Sequence, residues 1–206
     1  MITIIDLGIS NIKSIYRGFS VQGFDVRVVT GPDDVKGAES LVLPGVGAFP
    51  KAMEILDRRG LIEPILGHAD SGKPLLGVCL GMQLLFTDSV EHGLTRGLGI
   101  IPGHVVQFPP GRQVPHMGWN SVIQSGDNRL FSGIPEGADF YFVHSYFARP
   151  EHGGDVIAET DHEGRFVSAV GRDNVFGVQF HPEKSQRPGL LLLKNYARLN
   201  AERISA

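Results

Sequence analysis

Apolar residues fall along this chain in short, regular groups. The run Ile2-Thr3-Ile4-Ile5 has the pattern of a buried strand, ending at Asp6 with Gly8 just beyond. From Ser10 the apolar positions Ile12, Ile15, Tyr16 and Phe19 follow a helical repeat, with Ser10 or Asn11 as N-cap. Gly23 closes that helix, and residues 25–29 alternate as a strand does. Residues 40–43 form another apolar strand that runs into Pro44-Gly45-Val46-Gly47. Helical patterns cover 48–57 and 61–69, followed by a strand over 75–78 and a helix over 80–87. Strand alternating with helix predicts parallel βαβ units in a doubly wound sheet.

The second half changes character. Residues 100–101, 105–108, 121–123, 140–143 and 156–158 read as short strands, and 166–170 with 175–180 as a hairpin around 171–174. A last helix over 188–199 turns Leu191, Leu192, Asn195 and Leu199 to one side. No repeat, low-complexity tract or long linker interrupts the pattern. The expectation is one α/β domain over 1–206: a doubly wound, mostly parallel central sheet, helices on both faces, and extra antiparallel strands late in the chain.

Composition narrows the partners. At 206 residues, with 42% hydrophobic and 20% charged, the chain has material for one sizeable core, while two would be a squeeze. A net charge of −3 and a pI near 6.2 offer no electrostatic footprint for nucleic acid or a membrane surface. The single cysteine excludes an internal disulfide and any zinc site built on several thiolates. Eight histidines include no pair at helical ligand spacing with an acidic helper, so neither a metal nor another cofactor is expected. With no leader pattern at the start and no apolar run near membrane length, the chain reads as cytoplasmic and reduced.

The chemistry starts at that cysteine. Pro74-Leu75-Leu76-Gly77-Val78 leads into Cys79-Leu80-Gly81, a strand followed by Gly-x-Cys-x-Gly and a helical pattern. This is the arrangement of a nucleophile elbow, whose glycines keep side chains out of the way of the projecting nucleophile. A helix N-terminus there favours a thiolate. A lone buried cysteine is usually inert packing, so the reading requires a base. Val178-Gln179-Phe180-His181-Pro182-Glu183-Lys184 supplies one at the end of the last strand pattern. His181 can take and return a proton, and Glu183 can hold its tautomer. Both Cys79 and His181 sit at predicted carboxyl ends of strands, where open α/β sheets place their sites. Pro44-Gly45-Val46-Gly47 ends a third strand, and the N–H groups of Val46, Gly47 and Leu80 can line an oxyanion hole. Gly67-His68-Ala69-Asp70-Ser71-Gly72-Lys73 superficially fits a phosphate loop, but Pro74 replaces the required hydroxyl and the segment precedes a strand.

Taken together, these residues resemble the class I (triad-type) glutamine amidotransferases. Leu43–Phe49 as LPGVGAF, residues 77–86 as GVCLGMQLLF, 115–120 as PHMGWN, 141–146 as YFVHSY and 181–185 as HPEKS occur in family order and span nearly the whole chain. They narrow the resemblance to the glutaminase subunits of imidazole glycerol phosphate synthases, of histidine biosynthesis. The resemblance implies that Cys79 attacks the side-chain amide of glutamine to form a γ-glutamyl thioester, while His181 shuttles protons and Glu183 orients it. It implies that Gly45, Gln83, His144, Ser145 and Tyr146 contact the glutamine. It also implies a heterodimer with a (βα)₈-barrel cyclase subunit, with Trp119, Tyr141 and Lys184 near the interface and the ammonia passage. The first loop departs from the family's Asp-Tyr-Gly-x-Gly-Asn-Leu: here it is Asp6-Leu7-Gly8-Ile9-Ser10-Asn11-Ile12. Two other classes fit less well. A different Cys-His-Glu γ-glutamyl hydrolase does not account for Gln83 and the 115–120 block. A non-catalytic descendant does not account for an intact triad.

Overall fold

A computed structural model describes the backbone of residues 1–204 and side chains through residue 199. The first half alternates as its pattern predicts: β1 (Ile2–Ile5), α1 (Ile12–Ser20), β2 (Val26–Val29), α2 (Pro32–Lys36), β3 (Ser40–Gly45), α3 (Phe49–Arg58), α4 (Ile62–Asp70), β4 (Leu75–Cys79) and α5 (Leu80–Leu84). The strands then dominate: β5 (Phe86–Ser89), β6 (Thr95–Arg96), β7 (Ile101–Gln107), β8 (His116–Ser121), β9 (Ile123–Gln124), β10 (Asp139–His144), β11 (Tyr146–Pro150), β12 (Val156–Asp161), β13 (Arg165–Arg172) and β14 (Val175–Val178), before the closing α6 (Gln186–Ile204).

One eight-stranded sheet, ordered β2-β1-β3-β4-β14-β13-β12-β9, forms the spine. Its first five strands run parallel and the rest antiparallel. The strands of the parallel part are continuous apolar runs because both faces are covered. In β3, Leu41 and Leu43 enter one core with Phe49, Leu56 and Ile65 of α3 and α4. Val42 enters the other with Ile15 and Phe19 of α1 and Leu192, Leu193 and Tyr196 of α6. Each large apolar side chain so buried contributes roughly 1.5–3 kcal/mol. The Tyr196 hydroxyl, fully buried, donates to the Leu41 carbonyl at 2.7 Å and so ties α6 to the sheet.

Two smaller sheets stand beside the spine: β10 with β8, and β11-β7-β5-β6. They correct the sequence reading in several places, since β6, β8 and β11 form where the apolar pattern assigns no strand apart from residue 121. The helix predicted over 80–87 stops at Leu84, and residues 86–89 form β5, parallel to β7. The carbonyls of Leu84 and Leu85 accept hydrogen bonds from the N–H groups of Leu98, Ile100 and Ile101, so they no longer need a helical partner. Every residue of α5 is buried, which removes the one-sided pattern by which a helix end could have been recognised. Because α5 is so short, its macrodipole contributes little at Cys79. No helix among the described residues is long and apolar enough to cross a membrane.

Candidate active site

Parallel register brings three strand ends together. Gly45 of β3 pairs with Cys79 of β4, and Val178 of β14 pairs with Val78. The chain leaving β14 therefore carries Gln179 and His181 past Cys79, while the loop leaving β3 carries Val46 and Gly47 along its other side. Ser10 Oγ holds that loop by donating to the Pro44 carbonyl at 3.1 Å. Thus one residue of the divergent first loop has a definite task; the other, Leu7, is core.

Cys79 adopts φ 55 and ψ −111, a conformation L-residues rarely visit. Its flanking glycines are a steric necessity. A Cβ on Gly77 would lie 2.6 Å from the Gly81 carbonyl oxygen, and one on Gly81 would run into the Leu43 carbonyl. The strand can turn into α5 this sharply only with both side chains absent, and the strain stays on Cys79. The result is a sharp strand-to-helix turn with Cys79 at its apex.

His181 Nδ1 donates to Glu183 Oε1 at 2.8 Å, and both side chains are about 95% buried, with 5% and 6% exposed. Since the carboxylate can only accept, the Nδ1 proton is assigned and Nε2 is left for the thiol. Nε2 is buried without a hydrogen bond of ordinary geometry. Burial alone drags the His181 pKa down, but the negative charge of Cys79, followed by Glu183, reverses this and raises it to about 10. The imidazole is thereby held in its protonated form beside Cys79. The second Glu183 oxygen is also buried and unbonded; Glu183 borders a space of about 30 Å³ shared with Ser10, Asn11 and Lys184, enough for one water.

Beside Cys79 opens a cavity of about 270 Å³, below the roughly 300–1,000 Å³ of pockets for drug-sized ligands. Of the residues singled out in the sequence, Val46, Gly47, Leu80, Gln83, His144, Ser145 and Tyr146 line it, together with Glu91, Pro115 and Val143. Gly45, His181, Glu183 and Lys184 border the smaller space on the other side of the elbow. Trp119, Tyr141 and Lys184 form a cluster of their own: the Trp119 and Tyr141 rings meet edge-on at 6.1 Å, and Lys184 Nζ stands 5.4 Å above Tyr141. Trp119 and Met117 are exposed on one face of β8. Tyr141 is tied to the site, because its carbonyl accepts from the His181 N–H at 2.8 Å. A larger cavity of about 570 Å³ opens near Pro74 and Asn174, at the opposite ends of β4 and β14, but no nucleophile lines it.

Sequence reasoning passed over Glu91 and the setting of His144. Glu91 lies between β5 and β6, in a stretch to which the apolar pattern assigns no element; it accepts from the Phe49 N–H at 2.7 Å and presents a carboxylate to the cavity. His144 Nδ1 donates to the Tyr146 carbonyl at 2.8 Å, so its Nε2 must accept from His116 Nδ1 at 3.0 Å. The outer nitrogen of His116 in turn accepts from Asn120 at 3.2 Å. Burial lowers His116 to about 4 and His144 to about 3, so both rings are neutral. His162 stacks on His116 at 4.1 Å instead of converging with it on a common point. Among the described residues no group of three or more His, Cys, Asp and Glu could hold a metal ion.

The family model for glutamine amidotransferase class-I matches residues 3–197. Over 203 residues the chain is 49% identical to the imidazole glycerol phosphate synthase subunit HisH of Geobacter metallireducens, covering 95% of this chain and 97% of that one. It is 45% identical to the HisH subunit of Aquifex aeolicus, with 98% of each chain covered. The fold resembles that of a solved glutamine amidotransferase (TM-score 0.75, 20% identity, 98% of each chain covered). It also resembles the PurLQS structure from Thermotoga maritima (TM-score 0.73, 19% identity, 96% of this chain and 97% of that one).

Proposed function

The chain belongs to the class-I glutamine amidotransferase family, and we propose that it is the glutaminase subunit of an imidazole glycerol phosphate synthase. It hydrolyses glutamine to glutamate and ammonia, which serves histidine biosynthesis. Full-length similarity to HisH subunits supports the assignment. The observation that carries the chemistry is the strained Cys79 elbow, which lines an amino-acid-sized cavity on one side and is set against a buried His181–Glu183 pair on the other.

In this reading Cys79 Sγ attacks the side-chain carbonyl carbon of glutamine. The N–H groups of Val46, Gly47 and Leu80 hold the oxygen as it becomes negative. His181 gives the proton to the departing nitrogen, and ammonia leaves a γ-glutamyl thioester on Cys79. His181 then draws a proton from water, which attacks the same carbon and releases glutamate. Glu183 keeps the imidazole oriented and its positive form stable. Glu91 offers a negative partner for the α-ammonium group, and Gln83, His144, Ser145 and Tyr146 shape the rest of the pocket, with Gly45 behind it at the strand end beside Cys79.

Free ammonia gains a proton at neutral pH and stops being a nucleophile, so its consumer must be close. We assign that consumer as a (βα)₈-barrel cyclase subunit in a heterodimer, docking over Trp119, Tyr141 and Lys184. The chain then acts as one domain over 1–206 in the cytoplasm, with no cofactor of its own. The test is the glutaminase rate of the purified chain, alone and with the barrel subunit carrying its ribonucleotide ligand. A low rate that rises sharply with the loaded partner supports the assignment. A high rate indifferent to the partner favours a free-standing γ-glutamyl hydrolase.

A further inference from the structure

Gln179 lies just beyond the end of β14 and is fully buried. A primary amide placed there costs free energy unless its donors and acceptor are bonded, and its flanking residues Val178 and Phe180 are apolar core. Its partners explain why an apolar residue does not occupy the position. Gln179 Oε1 accepts from Gln83 Nε2 at 3.0 Å, and Gln179 Nε2 donates to Cys79 Sγ at 3.8 Å, a length suited to the large sulfur atom.

The direction of this chain is forced. The Tyr146 backbone carbonyl can only accept, and it faces Gln83 Nε2 at 2.9 Å. Gln83 must therefore turn its amino group toward Tyr146 and Gln179. Gln179, meeting a donor, must turn its carbonyl oxygen to Gln83 and its amino group to the sulfur. Rotating either amide by half a turn would set donor against donor or oxygen against oxygen. With both its bonds made through nitrogen, Gln83 keeps Oε1 free, and Gln83 lines the cavity.

We propose that Gln179 is a positioning residue for the nucleophile: it donates a hydrogen bond to Cys79 Sγ and, by the same amide, locks Gln83 with its acceptor oxygen available to the substrate. This rests on the assignment of Cys79 as the glutaminase nucleophile. A donor on sulfur favours its negative form and sets its direction of attack. Cys79 Sγ also faces the Val143 carbonyl at 3.9 Å, an acceptor that favours the thiol, so the Gln179 amide is the donor that offsets it while His181 exchanges the proton.

The test is Gln179→Met, which keeps length and buried volume but removes the amide. Two readouts are needed: the pH dependence of Cys79 alkylation by iodoacetamide in the full chain, and glutaminase kinetics of the complex with the cyclase subunit. The expected result is an alkylation profile moved upward by about one pH unit and a kcat lowered about tenfold, with a smaller change in KM. Gln83→Met serves as the second variant should Gln179→Met not unfold cooperatively. It frees Gln179 to rotate, and is expected to move the profile in the same direction by less while raising KM for glutamine. If wild-type complex turns over glutamine and the folded variant keeps the wild-type alkylation profile and kcat, the inference is overturned and the glutaminase assignment stands. If wild-type complex shows no glutaminase activity, the assignment itself falls, and this inference with it.

Discussion

Two histidines near the same pocket, both more than nine-tenths buried, are driven in opposite directions. His181 is 4% exposed and raised to about 10; His144 is 7% exposed and lowered to about 3. Burial pulls both down, so burial does not distinguish them. The difference lies in the company each keeps. His181 faces Cys79 and Glu183, whereas His144 faces a backbone carbonyl and the donor nitrogen of His116, with His162 and His181 also near enough to repel a proton. A charged ring is useful where a proton has to move, and a neutral ring with a fixed tautomer is useful where a backbone carbonyl has to be held still. The same side chain serves both needs a few residues from each strand end.

That contrast can be broken most severely at the sulfur. Cys79→Ala is expected to lower glutamine hydrolysis by about 10⁴-fold or more while leaving assembly with the proposed barrel subunit intact; turnover within about tenfold of wild type in a clean preparation would contradict the assigned nucleophile. His181→Ala comes next, with a loss of about 10³-fold in kcat, measured by release of glutamate. Glu183→Ala is expected to cost one to two orders of magnitude less than Cys79→Ala, roughly the gap between the nucleophile and the third member of such a triad. In addition, the His181 pKa read by NMR should fall, because Glu183 is among the groups that raise it. An unchanged His181 titration in that variant would show that Glu183 does not support the imidazolium.

The smallest effect concerns stability. Unfolded, His116 and His144 protonate near the ordinary histidine value of 6.5; folded, they resist until about 4 and about 3. Between these limits the unfolded state binds more protons. The stability linked to each ring is thus fully present above pH 6.5 and drains away below it, by about 1.4 kcal/mol per pH unit per histidine. His181 has the reverse sign: with its folded value raised to about 10, its contribution is full below 6.5 and lost as pH rises through 10. Urea midpoints at pH 7 and pH 5 should therefore differ clearly, and His116→Phe should flatten the acid limb. A midpoint unchanged between those pH values would mean that the two rings are not held neutral.

Much of the site was legible in the residues. The apolar runs of β1, β3 and β4 stand out because both faces of a parallel sheet are buried, and glycine at 77 and 81 reflects a steric demand that only the elbow makes. The end of α5 was not legible: its five residues are buried on every side, and the groups that cap it come from Leu98, Ile100 and Ile101, beyond the reach of local pattern. The strand Tyr146–Pro150 leaves little pattern for a related reason, since it is paired on one side only, with β7, and ends in proline. Glu91 gives no local signal, as a carboxylate in a loop is usually just solvated. Gln179 does give one: a polar residue between Val178 and Phe180 in a run otherwise reading as core.

Local chemistry in the chain determined which residues could be a nucleophile, a base and an orienting acid, because those roles depend on side-chain type and on glycines that only one backbone shape requires. The tertiary structure alone decided which histidine carries a charge and which way each buried amide points. Those properties belong to groups far apart in the chain: Cys79 with His181, Tyr146 with Gln83, His116 with His144. Proton affinity and hydrogen-bond direction are set by the nearest charges and acceptors in space, and no spacing along the backbone encodes them.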